Sequence, residues 1–168
     1  MRRPSRRTVL SNLAWLLAFA LAYGGVRVWQ HRGLVHGVAP AIAATTLQGQ
    51  SVSLAALRGR PVLVHFWASW CHICRMEQGS IEAIARNHAV LTVAIDADDP
   101  PALKRYIEEH GIHVPVVADR GGRLAAEYGV RAVPTDFIVD GRGNIRYVEV
   151  GYSTRWGLLA RLWLAGHG

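Results

Sequence analysis

Both cysteines of the chain fall in Trp70-Cys71-His72-Ile73-Cys74, where an apolar run, Val62 to Ala68, gives way to a helix-like pattern. Two sulfurs with that spacing at that junction point to thiol chemistry. A cysteine at a helix N-terminus meets unpaired backbone N–H groups and the positive end of the helix dipole, and both favour thiolate over thiol. Cys71 is therefore the predicted nucleophile, with its sulfur exposed, and Cys74 lies one helical turn on, where it can close a ring. With an ordinary pKa of about 8.5, roughly 3% of such a thiol is ionised at about pH 7, whereas a pKa of about 6.5 makes it roughly three quarters thiolate.

Other uses of the pair are less suited to the pattern. A structural staple between positions so close removes little chain entropy from the unfolded state. A structural zinc site needs four ligands, and His65, His72, His88, His110 and His113 show no ligand-like spacing, so no such metal centre is expected. A Cu(I)-binding module that holds this soft ion between two thiolates, without turnover, stays open as an alternative. The threonine-x-x-cysteine pattern of a peroxiredoxin is absent. No cofactor is expected beyond a redox-active Cys71–Cys74 disulfide.

The elements that must hold the pair follow from periodicity. Val62 to Trp67 lacks polar alternation apart from His65, as in a central strand covered on both faces. After the cysteines, Met76, Ile81, Ile84 and Ala85 recur at near-helical spacing to about His88, and Val90 to Ile95 forms a second buried strand. Asp98-Asp99-Pro100-Pro101 starts a helix through His110, with Leu103, Tyr106 and Ile107 inward and Gly111 as its stop. Val114 to Val117 is short and apolar, and Leu124 to Tyr128 suggests a small helix. Thr135 to Val139 and Ile145 to Val150 flank the turn Asp140 to Asn144, and Arg155 to Ala165 closes the chain as a helix in which Trp156, Leu159, Leu162 and Trp163 are expected in the core. Upstream, Ile42 to Leu47 and Ser51 to Leu54 make a hairpin. Strands alternating with helices and ending in a hairpin predict a mixed α/β sheet flanked by helices.

A net charge of +7 over 168 residues could suggest nucleic acid, but residues 1–32 hold six arginines and no acid. The remaining residues carry 13 basic and 12 acidic groups, so the folded part is nearly neutral and no nucleic-acid partner is expected. Arg2, Arg3, Arg6 and Arg7 precede 19 residues without a charged side chain, Thr8 to Val26. That length suits a single transmembrane helix, and the arginine excess keeps its N-terminus in the cytoplasm with the domain outside, at the bacterial inner membrane. A cleaved signal peptide is the rival, but the small-residue sites Ala39-Pro40-Ala41 and Ala41-Ile42-Ala43 lie too far past the apolar run. Ser5 to Leu10 also partly resembles a twin-arginine export signal.

Phe66-Trp67-Ala68-Ser69-Trp70-Cys71-His72-Ile73-Cys74 after a buried strand, with Val133-Pro134-Thr135 further on, resembles the thioredoxin fold over most of residues 42–165. Leu54 to Val64, Glu77 and Val133 to Asp140 are most similar to the membrane-tethered TlpA/ResA/DsbE group of thiol oxidoreductases. Within it, His65 to Ala85 and Gly151 to Ala165 resemble ScsD-like copper-sensitivity suppressor proteins. Charge and composition thus predict a cytoplasmic tail and anchor over 1–32 and a Gly/Ala/Pro-rich tether over 33–41, and the resemblance implies a thioredoxin-like domain over 42–168.

It also implies roles. Cys71 attacks a partner disulfide and Cys74 resolves the mixed disulfide. Glu77 assists proton transfer, because a partly buried carboxyl has a raised pKa; the alternative is a solvated residue beside Arg75. His65 stands where cytoplasmic thioredoxins have a buried aspartate, either replacing it or serving as a hydrogen-bonded core histidine. His72 favours the thiolate if protonated and does little if solvated and neutral. A cis Pro134 turns the backbone of Val133 toward the cysteines, to pair with an extended substrate segment. Trp67 and Trp70 are read as packing residues, Trp70 also covering the disulfide and, with His72 and Ile73, touching partners. The expected substrates are protein thiols and disulfides, reduced in cytochrome c maturation or copper stress. A reductase draws electrons from a DsbD- or CcdA-like membrane protein; the alternative, a disulfide-forming oxidant, passes them to a DsbB-like one.

Overall fold

The computed structural model describes residues 6–31 and 33–168, with backbone alone at 6–11, 13, 14 and 27–31. Two compact units divide at Arg32 and Gly33. The first contains α1 (Arg6–His31), whose described side chains, including Trp15, Leu16, Leu17 and Phe19, are exposed. Among the described residues no helix is long and apolar enough to cross a membrane; several residues of the expected anchor lie outside the described side chains.

The second unit is built on β4 (Val62–Trp67), buried at all six positions. Parallel β5 (Ala89–Ala94) and β6 (Val116–Ala118) extend the sheet on one side of β4, and antiparallel β7 (Thr135–Val139) and β8 (Asn144–Val150) extend it on the other. A two-residue strand, β1 (Gly37–Val38), pairs with β8 at that edge. The hairpin of β2 (Ala43–Thr45) and β3 (Ser51–Ser53) covers the opposite edge: Leu47 N–H donates to Val116 O at 2.9 Å and Val116 N–H to Gln48 Oε1 at 3.1 Å.

Alternation along β4 divides the core. Val62, Val64 and Phe66 join Phe137 and Tyr128 on one face, where the Phe66, Phe137 and Tyr128 rings meet at 4.9–5.7 Å between centroids and Tyr128 Oη donates to Pro40 O at 2.8 Å. Leu63 and Trp67 face α2 (His72–Ala85), α3 (Pro100–Glu109) and α5 (Arg155–Gly166). The helices begin where the sequence supplies caps: Asp99 Oδ1 accepts Ala102 N–H at 3.0 Å, and Thr154 Oγ1 accepts Gly157 N–H at 3.1 Å. Asp119, buried, accepts Leu124 and Ala125 N–H and starts the short α4 (Arg123–Glu127).

Three expectations are corrected. Residues 33–41 are no free tether: Leu34 is buried, Val35 N–H donates to Tyr128 O, and β1 pairs with β8. Their Gly-, Ala- and Pro-rich composition conceals a segment held chiefly by backbone bonds. Met76 is exposed, and α2 buries Cys74, Glu77, Ile81 and Ile84 instead. Trp156 and Trp163 are exposed, since Leu158, Leu162 and Ala165 form the inward stripe of α5.

Candidate functional site

β4 delivers the chain to a loop that Asp96 holds in place: the Ser69 N–H donates to Asp96 Oδ2 at 2.8 Å, and the Ser69 hydroxyl donates to the same oxygen. The loop ends at Cys71, the N-cap of α2, whose Sγ accepts the Cys74 N–H at 3.1 Å. Cys71 and Cys74 form a disulfide with Cα atoms 5.3 Å apart. An N–H of the first helical turn thus already points at the sulfur that must carry negative charge when the bond opens, which favours Cys71 as the thiolate.

The exposed Cys71 sulfur expected from sequence is corrected: Cys71 is 5% exposed and Cys74 3%. The loop before β7 is the reason. The Val133–Pro134 bond is cis, and Val133 O lies 3.6 Å from Cys71 Sγ. Thr135 Oγ1 donates to Ala132 O at 2.7 Å and Gly151 N–H to Pro134 O at 2.9 Å, which fixes the loop there. Trp67 packs in the core 6.0 Å from the Tyr106 ring, but Trp70 is 68% exposed, so the packing role expected of Trp70 is corrected too. With Trp67 filling the inward position, Trp70 faces solvent, as do His72, Ile73 and Met76. Arg75 Nη2 lies 3.3 Å from His72 Nδ1.

Behind the disulfide is a polar cluster that no solvent reaches. Glu77, His65 and Asp136 are each 0% exposed. Glu77 occupies the apolar stripe of α2, and its Oε1 accepts Ser153 N–H at 3.1 Å. His65 Nδ1 and Asp136 Oδ1 are 2.8 Å apart, paired across β4 and β7 in direct register. Glu77 Oε2, Asp136 Oδ2 and His65 Nε2 have no hydrogen-bond partner among the described residues.

Burial pushes the Glu77 carboxyl up to about 9, helped by the neighbouring carboxylate of Asp136, while the Ser153 N–H pulls the other way. In this disulfide-bonded form Glu77 therefore holds a proton at neutral pH. Asp136 neighbours Glu77 in this enclosure, so a single shared proton would satisfy both unpartnered oxygens. One atom from each of the three residues lies within 4.8 Å of the others, a grouping compatible with an ion, and all three residues are fully enclosed.

The solvated alternative for Glu77 fails on its burial, and His65 is a hydrogen-bonded core residue. Sequence reasoning missed Asp136 as a site residue. The signal was its register opposite His65, which only strand pairing reveals. A cleft of about 550 Å³, lined by Leu47, Lys104, Ile107, Ile112 and His113, includes neither cysteine.

Comparison with known proteins agrees with this arrangement. The AhpC/TSA family matches residues 35–148. The chain is 29% identical over 154 residues to the thiol-disulfide oxidoreductase ResA of Bacillus thuringiensis (strain Al Hakam), covering 89% of this chain and 88% of that protein. StoA from Bacillus subtilis superposes with a TM-score of 0.64 at 25% identity, over 74% of this chain and 97% of that one. A thiol:disulfide interchange protein of the thioredoxin family from Chlorobium tepidum TLS gives 0.67 at 27% identity, over 78% and 97%. The chain belongs to the AhpC/TSA family, within the thioredoxin-like superfamily, and is a thiol-disulfide oxidoreductase of the ResA, StoA and DsbE type.

Proposed function

We propose that this protein is an extracytoplasmic reductase of protein disulfides, held at the bacterial inner membrane by residues 1–32. The Cys71 thiolate attacks a partner disulfide; one partner sulfur leaves as a thiolate and a mixed disulfide forms. Cys74 then gives up its proton, attacks Cys71 Sγ and releases the second partner sulfur, so that two electrons pass to the partner. Glu77, one turn from Cys74 on the same buried stripe, receives that proton. Trp70, His72 and Ile73 offer the partner an exposed contact surface, and the backbone at Val133 and Pro134 lies against its extended segment. Electrons return from a DsbD- or CcdA-like membrane protein. The substrates are thiol proteins of cytochrome c maturation or of copper stress.

The observation that carries this reading is the Cys74 N–H on Cys71 Sγ at 3.1 Å, with a carboxyl enclosed one turn behind. The run of exposed apolar side chains on α1 and the flanking arginines support the anchor. Cys74→Ser in the bacterial cell tests it: the variant accumulates mixed disulfides through Cys71 with extracytoplasmic proteins, and their identities name the pathway. If none accumulates while Cys71→Ser retains exchange activity, the reading falls.

A further inference from the structure

Among the described residues His65 and Asp136 hydrogen-bond to each other and to neither cysteine, and both are fully buried in the core beside Glu77. The groups facing Glu77 can be traced element by element. Asp136 comes from β7, His65 from β4, and the Ser153 N–H from the segment before α5. Glu149 on β8 stands opposite Asp136 in register and is bound by Arg161 of α5 at 2.6 Å. On the other flank Thr92 of β5 stands opposite His65, its hydroxyl donated to Pro115 O at 2.7 Å. A row of polar residues thus crosses the sheet beneath α2, where burial without function is costly.

We propose that His65 and Asp136 are positioning residues for the resolving step: the imidazole holds one Asp136 oxygen so that the other meets Glu77, and the carboxylate pair stores the proton that Cys74 surrenders. This rests on the exchange reaction proposed above. With both carboxyls ionised, the Cys74 thiol transfers its proton to the pair, its sulfur attacks Cys71 Sγ, the bond from Cys71 to the partner sulfur breaks, and the partner leaves as a thiolate. The oxidised protein then holds one proton between Glu77 Oε2 and Asp136 Oδ2, which is the arrangement that satisfies the two oxygens left without partners. In the reverse direction Cys74 leaves as a thiolate and takes that proton back. His65 donates to Asp136 Oδ1 from Nδ1, stabilising the ionised pair without contacting sulfur.

The two positioning residues have opposite effects on the pair. Asp136→Asn removes the negative neighbour, so Glu77 gives up its proton more easily. His65→Leu removes the donor to the ionised pair, so the pair holds its proton harder. His65→Asn restores an N–H donor.

The test isolates the Cys74 step in the full chain. The reduced protein is mixed at low pH with dithiobis(nitrobenzoate), which loads Cys71, and a pH jump then releases the second coloured thiolate as Cys74 attacks. The wild-type rate rises with pH and breaks near the Glu77 value. Asp136→Asn moves the break down by about one pH unit or more, His65→Leu moves it up, His65→Asn returns it toward wild type, and Glu77→Gln abolishes it.

A break that stays in place, or moves in the same direction in Asp136→Asn and His65→Leu, overturns the inference. If Cys71 cannot be loaded at all, the exchange reading itself falls, which is a separate result. Should His65→Leu not fold, the infrared band of a protonated buried carboxyl in the oxidised protein decides. It must titrate at lower pH in Asp136→Asn than in the wild type, and an unchanged titration overturns the assignment.

Discussion

Replacing Glu77 by glutamine turns a buried proton into a measurable slope. Oε1 of Glu77 accepts the Ser153 N–H and Oε2 faces Asp136; an amide keeps the first bond and donates the second, so glutamine mimics the protonated acid. The folded protein holds a proton that the unfolded chain releases above its ordinary carboxyl value of 4.5, and the folded value lies near 9. Stability from this group is thus fully present below the unfolded value and is lost as pH rises through the folded one. Between these values the loss is one proton's worth, about 1.4 kcal/mol per pH unit. From about pH 6 to about pH 8 the wild type therefore loses about 2.7 kcal/mol relative to Glu77→Gln. The slope needs only that the folded value lie above that window. Urea unfolding of the oxidised full chain at a series of pH values measures it, each protein against the other, so that titrations common to both cancel. Parallel stability curves refute the reasoning, because they would mean that no proton is held at Glu77 across the window.

Three further outcomes follow from packing and exposure. Gly129 adopts φ +69°, and a Cβ there would fall on the Gly33 carbonyl, so Gly129→Ala lowers stability by about 2 kcal/mol or more in urea unfolding. Tyr128→Phe leaves Pro40 O without its donor while preserving the ring packing, and costs about 1 kcal/mol in the same assay. Trp70→Ala changes stability by less than about 0.5 kcal/mol, since the side chain is 68% exposed, but raises KM for a protein disulfide substrate; an unchanged KM removes Trp70 from the contact surface.

The elements that position the disulfide were legible because each wrote its own periodicity. A run apolar except for His65 marked β4, and Val62 and Trp67 are its observed ends. Asp99 before two prolines marked the start of α3, and the Asp140 to Asn144 turn marked the β7–β8 hairpin. The errors share a cause. α5 carries apolar residues around most of its circumference, so a face cannot be chosen by counting, and Trp156 and Trp163 were put inside. In α2 Met76 recurs at the apolar spacing, yet the helix exposes this thioether and buries the neighbouring acid. β1 contributes almost nothing but backbone to its pairing, and backbone hydrogen bonds leave no trace in composition.

Glu77, an acid on an otherwise apolar stripe, is also the residue whose burial has a chemical use. A glutamate on the inward stripe of α2, a histidine in the middle of β4 and an aspartate in β7 each break the local rule for its element, and the three are brought together on one face of the sheet. An apolar residue at any one of these positions would relieve a desolvation cost that the other two then bear unpaired. The cluster therefore stands or falls as a unit, and a folding requirement alone does not ask for it. A disulfide that opens and closes does: each closure must rid a thiol that is 3% exposed of a proton, and the carboxyl one turn behind it is fully buried. The departures from local pattern converge on the place where the exchange chemistry needs a proton store.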